Sequence, residues 1–322
     1  MAVAGVVTGG RFLVTGAAGF IGNHLVRALA ARGASEVRAL DREPLAANPF
    51  FVPTPGVTEV RLALGDASTD ALVDAARGVD AVFHLAAVKY RPQGEPLVDI
   101  VRTNALGTAA LLEAATRAGV AKIVFTSSLY AYGRMRGAPL DEAETPAPCT
   151  AYGCSKRFGE ELLALAGVRF TTLRYLFVYG PGQAPKHGYP SVIVKSFVRM
   201  LAGRPPVVYG DGAQVLDYVF VDDVVDATIR ALAPEADGRV YNVGSGEGTA
   251  IRDLVAAMRT VAGFSGQPEF QPPDKTAGTS RVARIDRIRT DLGWSPATPL
   301  RDGLAATLTS IRLHPDWYGQ QK

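Results

Sequence analysis

Apolar residues fall in short unbroken blocks along the first half of the chain. Phe12–Val14, Val37–Leu40, Ala81–Leu85, Ile123–Thr126 and Phe170–Leu173 each read as a strand. None alternates polar with apolar positions, which is the pattern of strands covered on both faces. Segments with helical spacing lie between them: Ile21–Ala30, Asp70–Ala76, Leu97–Ala118 and Ala151–Ala166. Strand and helix alternating in this way predict an α/β fold, a Rossmann-type doubly wound parallel sheet. After Tyr175 the pattern changes. "YGPGQAPKHGYP" is dense in glycine and proline, and a helix over Ser191–Ala202 follows it. The strand-like "DYVFV" and the helical "VVDATIRAL" are expected to rejoin the first sheet, while residues 267–278 read as polar loop.

The first strand runs into a turn in "RFLVTGAAGFIGNHL". A strand, a glycine-rich turn and a helix in that order make a cradle for a pyrophosphate, because a helix N-terminus offers unpaired amides and the positive end of a dipole. Gly16 permits the tight turn, Gly19 clears the approach of the phosphates, and Gly22 lets the helix pack on the strand. About twenty residues on, "EVRALD" ends in Asp41, whose carboxylate suits the adenosine ribose and repels a 2′-phosphate, favouring NAD over NADP. Arg42 beside it is a further cofactor-binding candidate, of a type that pairs with a 2′-phosphate, and otherwise reads as a solvated surface arginine. Residues 1–176 are thus expected to form a nucleotide-binding domain, rejoined by about 217–245. Residues 177–216 and 246–322 form a smaller α/β substrate-binding region.

Composition narrows the class. A chain of 322 residues, 48% hydrophobic, can bury a full core, and a formal charge of +3 with no basic run argues against nucleic acid. Cys149 and Cys154 suggest no disulfide framework, and the four histidines have no metal-ligand spacing. No apolar stretch approaches a membrane span, and "MAVAGVVTGG" lacks the basic start of a signal peptide. The expectation is a cytoplasmic protein without membrane or metal.

Tyr152 and Lys156 in "AYGCSKRFGEELLALAG" are four apart on a helix, so they share a face. An ammonium beside a phenol favours the phenolate, and lowering a tyrosine from about 10 to near 7 takes about 4 kcal/mol. A positively charged nicotinamide ring nearby adds to this, leaving a general base for a hydroxyl proton. Upstream, "IVFTSSLYAYG" carries Thr126, Ser127 and Ser128 at a strand's end. The two motifs converge at the carboxyl edge of the sheet, where such folds bind ligands.

The ordered set "VTGAAGFIG", "GDAS", "FHLAAVK", "RTNALGT", "FTSSLYAYG", "YGCSK", "LRYLFVYGPGQ", "VVYGDGAQVLDYVFVDDVVDA", "YNVGSG" and "LGWSP" spans nearly the whole chain. It resembles the extended short-chain dehydrogenase/reductases of the nucleotide-sugar epimerase and dehydratase superfamily. The resemblance implies NAD in the first domain and a nucleoside-diphosphate sugar between the two regions. It implies Ser128 as catalytic serine, Tyr152 as base and Lys156 on the nicotinamide ribose. Further cofactor contacts implied are Phe20, Ile21, Asp66, Ala67, Leu85, Ala86, Ala87, Lys89, Asn104, Thr126, Tyr175 and Val178. On the substrate side it implies Lys89, Ser128, Phe177, Ile193, Tyr209, Tyr218 and Arg281, with His187 and Tyr189 in the loop after "YGPGQ". A homodimer through Leu97–Ala118 and Ala151–Ala166 is implied as well.

Members of this superfamily begin by oxidising the sugar at carbon 4. Dehydratases place an Asp-Glu pair after the serine equivalent and decarboxylating relatives a glutamate, whereas this chain has Leu129 and Tyr130. Without a carboxylate for elimination, the expected outcome is 4-epimerisation. A dehydratase, decarboxylase or reductase of the same superfamily, or an NAD-dependent dehydrogenase of a non-nucleotide alcohol, is the alternative. Two departures bear on the substrate: Phe177 replaces a family asparagine, and Leu216 an arginine that usually meets the diphosphate. A charge-assisted contact contributes about 1.5–3 kcal/mol, so Lys89, Lys275, Arg281 or Arg284 is expected to compensate.

Overall fold

The computed structural model describes residues 7–90, 94–133, 137, 139–183, 191–274 and 278–319. Lys275, His187 and Tyr189 lie outside these.

The nucleotide-binding half opens with β1 (Arg11–Thr15), α1 (Phe20–Ala31), β2 (Glu36–Asp41), β3 (Val57–Arg61), α2 (Thr69–Ala76) and β4 (Ala81–His84). A short helix, α3 (Leu97–Ile100), passes through a π-helical stretch, Val101–Leu106, into α4 (Gly107–Arg117). Then come β5 (Lys122–Ser128), α5 (Ala151–Leu165), β6 (Arg169–Tyr175) and β7 (Phe177–Tyr179). The second half holds α6 (Val192–Leu201), β8 (Val207–Tyr209), β9 (Val215–Leu216), β10 (Tyr218–Phe220), α7 (Val221–Arg230) and β11 (Arg239–Val243). It ends with β12 (Thr249–Ala250), α8 (Ile251–Ala262), β13 (Glu269–Gln271), β14 (Ser280–Arg281), α9 (Asp286–Leu292) and α10 (Leu300–Leu313).

Seven parallel strands in the order β11-β6-β5-β4-β1-β2-β3 form the central sheet. Successive residues of β1 serve opposite faces. Phe12 and Val14 pack with α1 and α7, and Leu13 packs with Leu72 and Leu111. Both faces are therefore dry, which explains the unbroken apolar blocks. The direction of winding reverses between β1 and β4, opening a crevice at their carboxyl ends. Gly16, with φ +74°, turns the chain out of β1. At Gly22 a Cβ would stand 2.1 Å from the Gly16 carbonyl oxygen, so only glycine lets α1 begin there.

"DYVFV" does not rejoin the main sheet as expected. Tyr218–Phe220 pairs with Phe177–Tyr179 in a two-stranded sheet of its own, and Arg239–Val243 takes the outer place beside β6. The expected helix Leu97–Ala118 is interrupted by its π-helical stretch, which turns Asn104 inward as the one buried residue there. In the second half α6, α8 and α10 pack Phe197, Leu254, Met258 and Leu308 into a separate core. Ser191 caps α6 by accepting the Val194 amide at 3.3 Å.

Beneath α5 lies a buried ion pair. Arg174 Nε and Nη2 donate to the two Glu160 oxygens at 3.0 and 2.7 Å, and Ser127 Oγ donates to Glu160 at 2.5 Å. The two side chains are 3% and 4% exposed. The pair clamps α5 to β5 and β6, and breaking it strands a buried charge. Arg174→Met is expected to cost about 3–5 kcal/mol in urea unfolding. The double variant Arg174→Met with Glu160→Leu should recover most of that, and a double variant no more stable than the single one contradicts this account.

Candidate active site

The crevice begins with the glycine turn. α1 starts at Phe20 with no side-chain cap and no acidic residue in its first turn, whereas α2, α5 and α6 are all capped by Ser or Thr. Its free amides and positive dipole end face the open crevice, the arrangement a pyrophosphate requires. At Gly19 a Cβ would meet only the Gly16 carbonyl, at 3.0 Å, and would otherwise project into the phosphate approach. At the end of β2 the Asp41 carboxylate accepts the amides of Ala18 at 3.0 Å and Glu43 at 3.0 Å. Burial holds its pKa above the usual carboxylate value against those bonds. Arg42 is exposed and lies 3.6 Å from Glu43. The residues fit NAD: glycines and amides for the pyrophosphate, and Asp41 for a ribose diol.

A hydrogen-bonded chain fixes the crevice floor. Thr108 Oγ1 donates to the Asn104 carbonyl at 2.6 Å, so it accepts from His84 Nε2 at 2.9 Å. His84 Nδ1 then accepts from Thr15 Oγ1 at 2.8 Å, and that oxygen accepts the amides of Leu85 and Ala86 at 3.2 Å each. The tautomer follows from these partners. Burial and the nearby Lys156 charge lower the His84 pKa to about 3, keeping the ring neutral. The chain joins β1, β4 and the Asn104 helix, and its histidine was not singled out in the sequence.

The catalytic candidates meet above β5. Tyr152 is hydrogen-bonded to Ser128, which is itself buried and accepts the Tyr130 amide at 3.3 Å. Lys156 Nζ is buried, donates to the Thr126 carbonyl at 2.7 Å, and stands 5.9 Å from the Tyr152 ring centre. Burial pushes the Tyr152 phenol up to about 12, opposed by its Ser128 bond, and pushes Lys156 down to about 7, opposed by Glu160. Of the two charges expected from the sequence to make the phenol acidic, the Lys156 ammonium and a nicotinamide ring, only the first belongs to the chain itself. In the protein without cofactor, desolvation outweighs the ammonium.

The other candidates are placed as follows. Leu85, Ala86 and Ala87 are half-buried along the crevice, where Gly16 leaves no room for a Cβ against Ala86. Lys89 and Asp66 are exposed, Asp66 lying 3.9 Å from Arg102. Asn104 spends its amide on Val88 and on Ser155 Oγ rather than in the open crevice. The Tyr175 phenol points into the core and bonds Thr228 at 2.6 Å, and Ile193 is fully buried in the second core. Phe20 and Ile21 open α1, and Ala67 and Val178 are both half-buried. Phe177 stacks toward Tyr218 at 5.9 Å, and Tyr209 is 44% exposed. The Arg281 guanidinium lies 6.0 Å from the ring centres of both Tyr130 and Phe177, and Arg284 is paired with Asp141 at 3.1 Å. Sequence reasoning missed Tyr130, which stands between Tyr90 at 4.9 Å and Tyr152 at 5.9 Å.

Lys156 carries a stability signature. Its folded-state pKa of about 7 lies below the ordinary 10.5, so between these values the unfolded chain binds more protons. Stability of the NAD-free protein must then rise with pH across that window. Lys156→Met is expected to flatten the rise in Tm between pH 7 and 9.5. A slope identical to the wild type contradicts this.

The geometry has its counterpart in known proteins. Residues 12–244 match the NAD dependent epimerase/dehydratase family. The chain is 39% identical over 314 residues to a UDP-glucose 4-epimerase of Mycolicibacterium smegmatis, covering 94% of this chain and 98% of that one. It is 36% identical over 322 residues to a dTDP-glucose 4,6-dehydratase of Streptomyces griseus, covering 95% of each. Among solved structures, UDP-glucuronic acid 4-epimerase from Bacillus cereus in complex with UDP-glucuronic acid and NAD is similar with a TM-score of 0.81 at 28% identity. That likeness covers 94% of this chain and 99% of that one. A glycine cradle without a cap, an acidic residue ending β2 and a Ser-Tyr-Lys group at the sheet's carboxyl edge thus coincide with a family match over most of the chain: the protein belongs to the NAD-dependent epimerase/dehydratase family and uses NAD.

Proposed function

We propose that the protein is a 4-epimerase of a nucleoside-diphosphate sugar. The observation that carries this reading is the neighbourhood of the Tyr152 hydroxyl. Among the described residues its polar partners are Ser128 and Tyr130, with no carboxylate. Leu129, which follows Ser128, is buried in the core, and Tyr130 presents a ring. Eliminating water or carbon dioxide from a 4-keto sugar calls for an acid or base that this wall lacks.

NAD supplies a hydride acceptor for carbon 4 that can also return the hydride. Tyr152 takes the proton of the 4-hydroxyl, and Ser128 holds that oxygen through the hydrogen bond it otherwise makes to the phenol. Lys156, whose ammonium donates to the Thr126 carbonyl at 2.7 Å, would hold the nicotinamide ribose beside the phenol. The 4-keto sugar then turns, presents its other face, and receives the proton back from Tyr152. The similarity to dehydratases supports only the shared first step.

Arg281 takes over the diphosphate contact that Leu216 cannot make. The two residues are register partners on adjacent parallel strands, so their side chains lie side by side. Among the described residues no carboxylate pairs with Arg281, and its Nε is buried without a partner. The Tyr218 hydroxyl, buried and unpartnered, is a second donor on that wall. Phe177 gives the wall an apolar patch, Tyr209 offers a ring for the nucleotide base, and Lys89 stands at the mouth. The sugar lies between the nucleotide-binding domain and the region built from 177–216 and 246–322.

Two chains pair through α3 to α5. Leu97, Val98, Val101 and Leu106 expose between 55% and 67% of their area, and Phe158 and Leu165 on α5 expose 43% and 82%. An apolar stripe of that kind calls for a partner, and a second copy offers the same stripe. Both cysteines are free and exposed, which suits the reducing cytoplasm.

Incubation with UDP-, dTDP-, GDP- and CDP-sugars, followed by proton NMR, tests the reading. One sugar should change configuration at carbon 4 with no growth of NADH absorbance. Stoichiometric NADH, or loss of water from the sugar, excludes it. Tyr152→Phe should lower kcat by about 10³-fold or more while NAD stays bound, and near-normal turnover excludes Tyr152 as the base.

A further inference from the structure

Tyr152 is the second residue of α5, and all four leading amides of that helix have partners. Gly153 donates to Thr150 Oγ1 at 3.0 Å and Cys154 to the Thr150 carbonyl at 2.9 Å. The first two are held by one side chain from a distant segment. Glu95 Oε2 accepts the Ala151 amide at 2.7 Å, and Oε1 accepts the Tyr152 amide at 2.8 Å. A carboxylate across two adjacent amides at the positive end of a helix dipole is a strong, directional contact.

The local sequence explains how Glu95 gets there. Gly94 has φ +132°, a conformation that side chains disfavour, and Pro96 follows and receives the Ile100 amide at 2.9 Å as α3 begins. Glu95 is thus set between a glycine turn and a helix start.

A second tie lies on the other side of the same residue. Ser155 Oγ donates to the Tyr152 carbonyl at 2.8 Å and accepts from Asn104 Nδ2 at 3.0 Å. Asn104 also accepts the Val88 amide at 2.7 Å and donates to the Val88 carbonyl at 3.0 Å. Both peptide groups of Tyr152 are therefore held from the segment that follows β4.

We propose that Glu95 is a positioning residue for Tyr152. Through the first turn of α5 it sets the reach of the phenol toward the sugar hydroxyl, and it yokes the segment carrying Lys89 and Tyr90 to the base. The proposal rests on Tyr152 acting as base in the reaction described above. A misplacement of about 1 Å at such a group costs about 10²-fold in rate, so loss of the tie must show in turnover before it shows in binding.

The test uses the NAD-loaded enzyme with Glu95→Ala and Glu95→Gln. Glutamine keeps one acceptor oxygen but sets an NH₂ group against the second amide. Glu95→Ala should lower kcat at least about tenfold with KM within about threefold and NAD content unchanged, and Glu95→Gln should fall between it and the wild type. A readout independent of sugar is the apparent pKa of the Tyr152 phenol in NAD-loaded protein, followed by ¹³Cζ NMR, which should move in Glu95→Ala. If Glu95→Ala does not fold, Glu95→Gln is judged by the same two readouts. A kcat within twofold of wild type, a loss that only tracks lost NAD, or an unmoved phenol titration overturns the proposal. If the wild type converts no nucleotide sugar, the epimerase reading fails on its own and the phenol titration alone decides the role of Glu95.

Discussion

Burial of a phenol and an ammonium on one helix face is the constraint from which the rest of the site follows. Tyr152 and Lys156 stand one turn apart, and without a partner in the crevice each is driven toward its neutral form, near 12 for the phenol and near 7 for the amine. Making the phenol a base at neutral pH thus means overcoming its desolvation. Lys156 alone cannot do this, because the same desolvation depresses its own charge. The site is a poised pair that needs an additional positive charge in the crevice. In the mechanism proposed above, base strength would then be coupled to the presence of oxidised cofactor.

The fold meets this constraint with backbone ties rather than with further charges. β5 brings Thr126 and Ser128 under the helix, the Arg174–Glu160 pair clamps α5 from below, and the peptide groups of Tyr152 are bonded on both sides. The His84 chain fixes β1 against β4 where the direction of winding reverses. Of these ties the Arg174–Glu160 pair is internally compensated, while Glu95 sets its carboxylate on backbone amides rather than on the phenol. The electrostatic problem is left to whatever occupies the crevice.

Much of this was legible in the residues. The apolar blocks marked the five inner strands because both faces of the sheet are covered, and the glycines and the Tyr152–Lys156 spacing marked the crevice because both patterns are local. β3 was not read: "VTEVR" is an exposed edge strand with three polar residues in five. "DYVFV" was placed in the wrong sheet, since a short apolar run shows that it is buried and not beside which strand. The π-helical stretch around Asn104 and the reach of Glu95 to a helix 56 positions away depend on tertiary placement. The upward shift of the Tyr152 phenol in the protein without cofactor is hidden from sequence for a related reason. Spacing names the neighbours of a group, but burial decides its sign.

The most direct measurement is the titration of the Tyr152 phenol by ¹³Cζ NMR in NAD-free and NAD-loaded protein, with Tyr152→Phe identifying the resonance. The account predicts an apparent pKa near 12 without NAD that falls by several units when oxidised NAD is bound. An equal pKa in the two forms, or a phenol already acidic in the NAD-free protein, would contradict it.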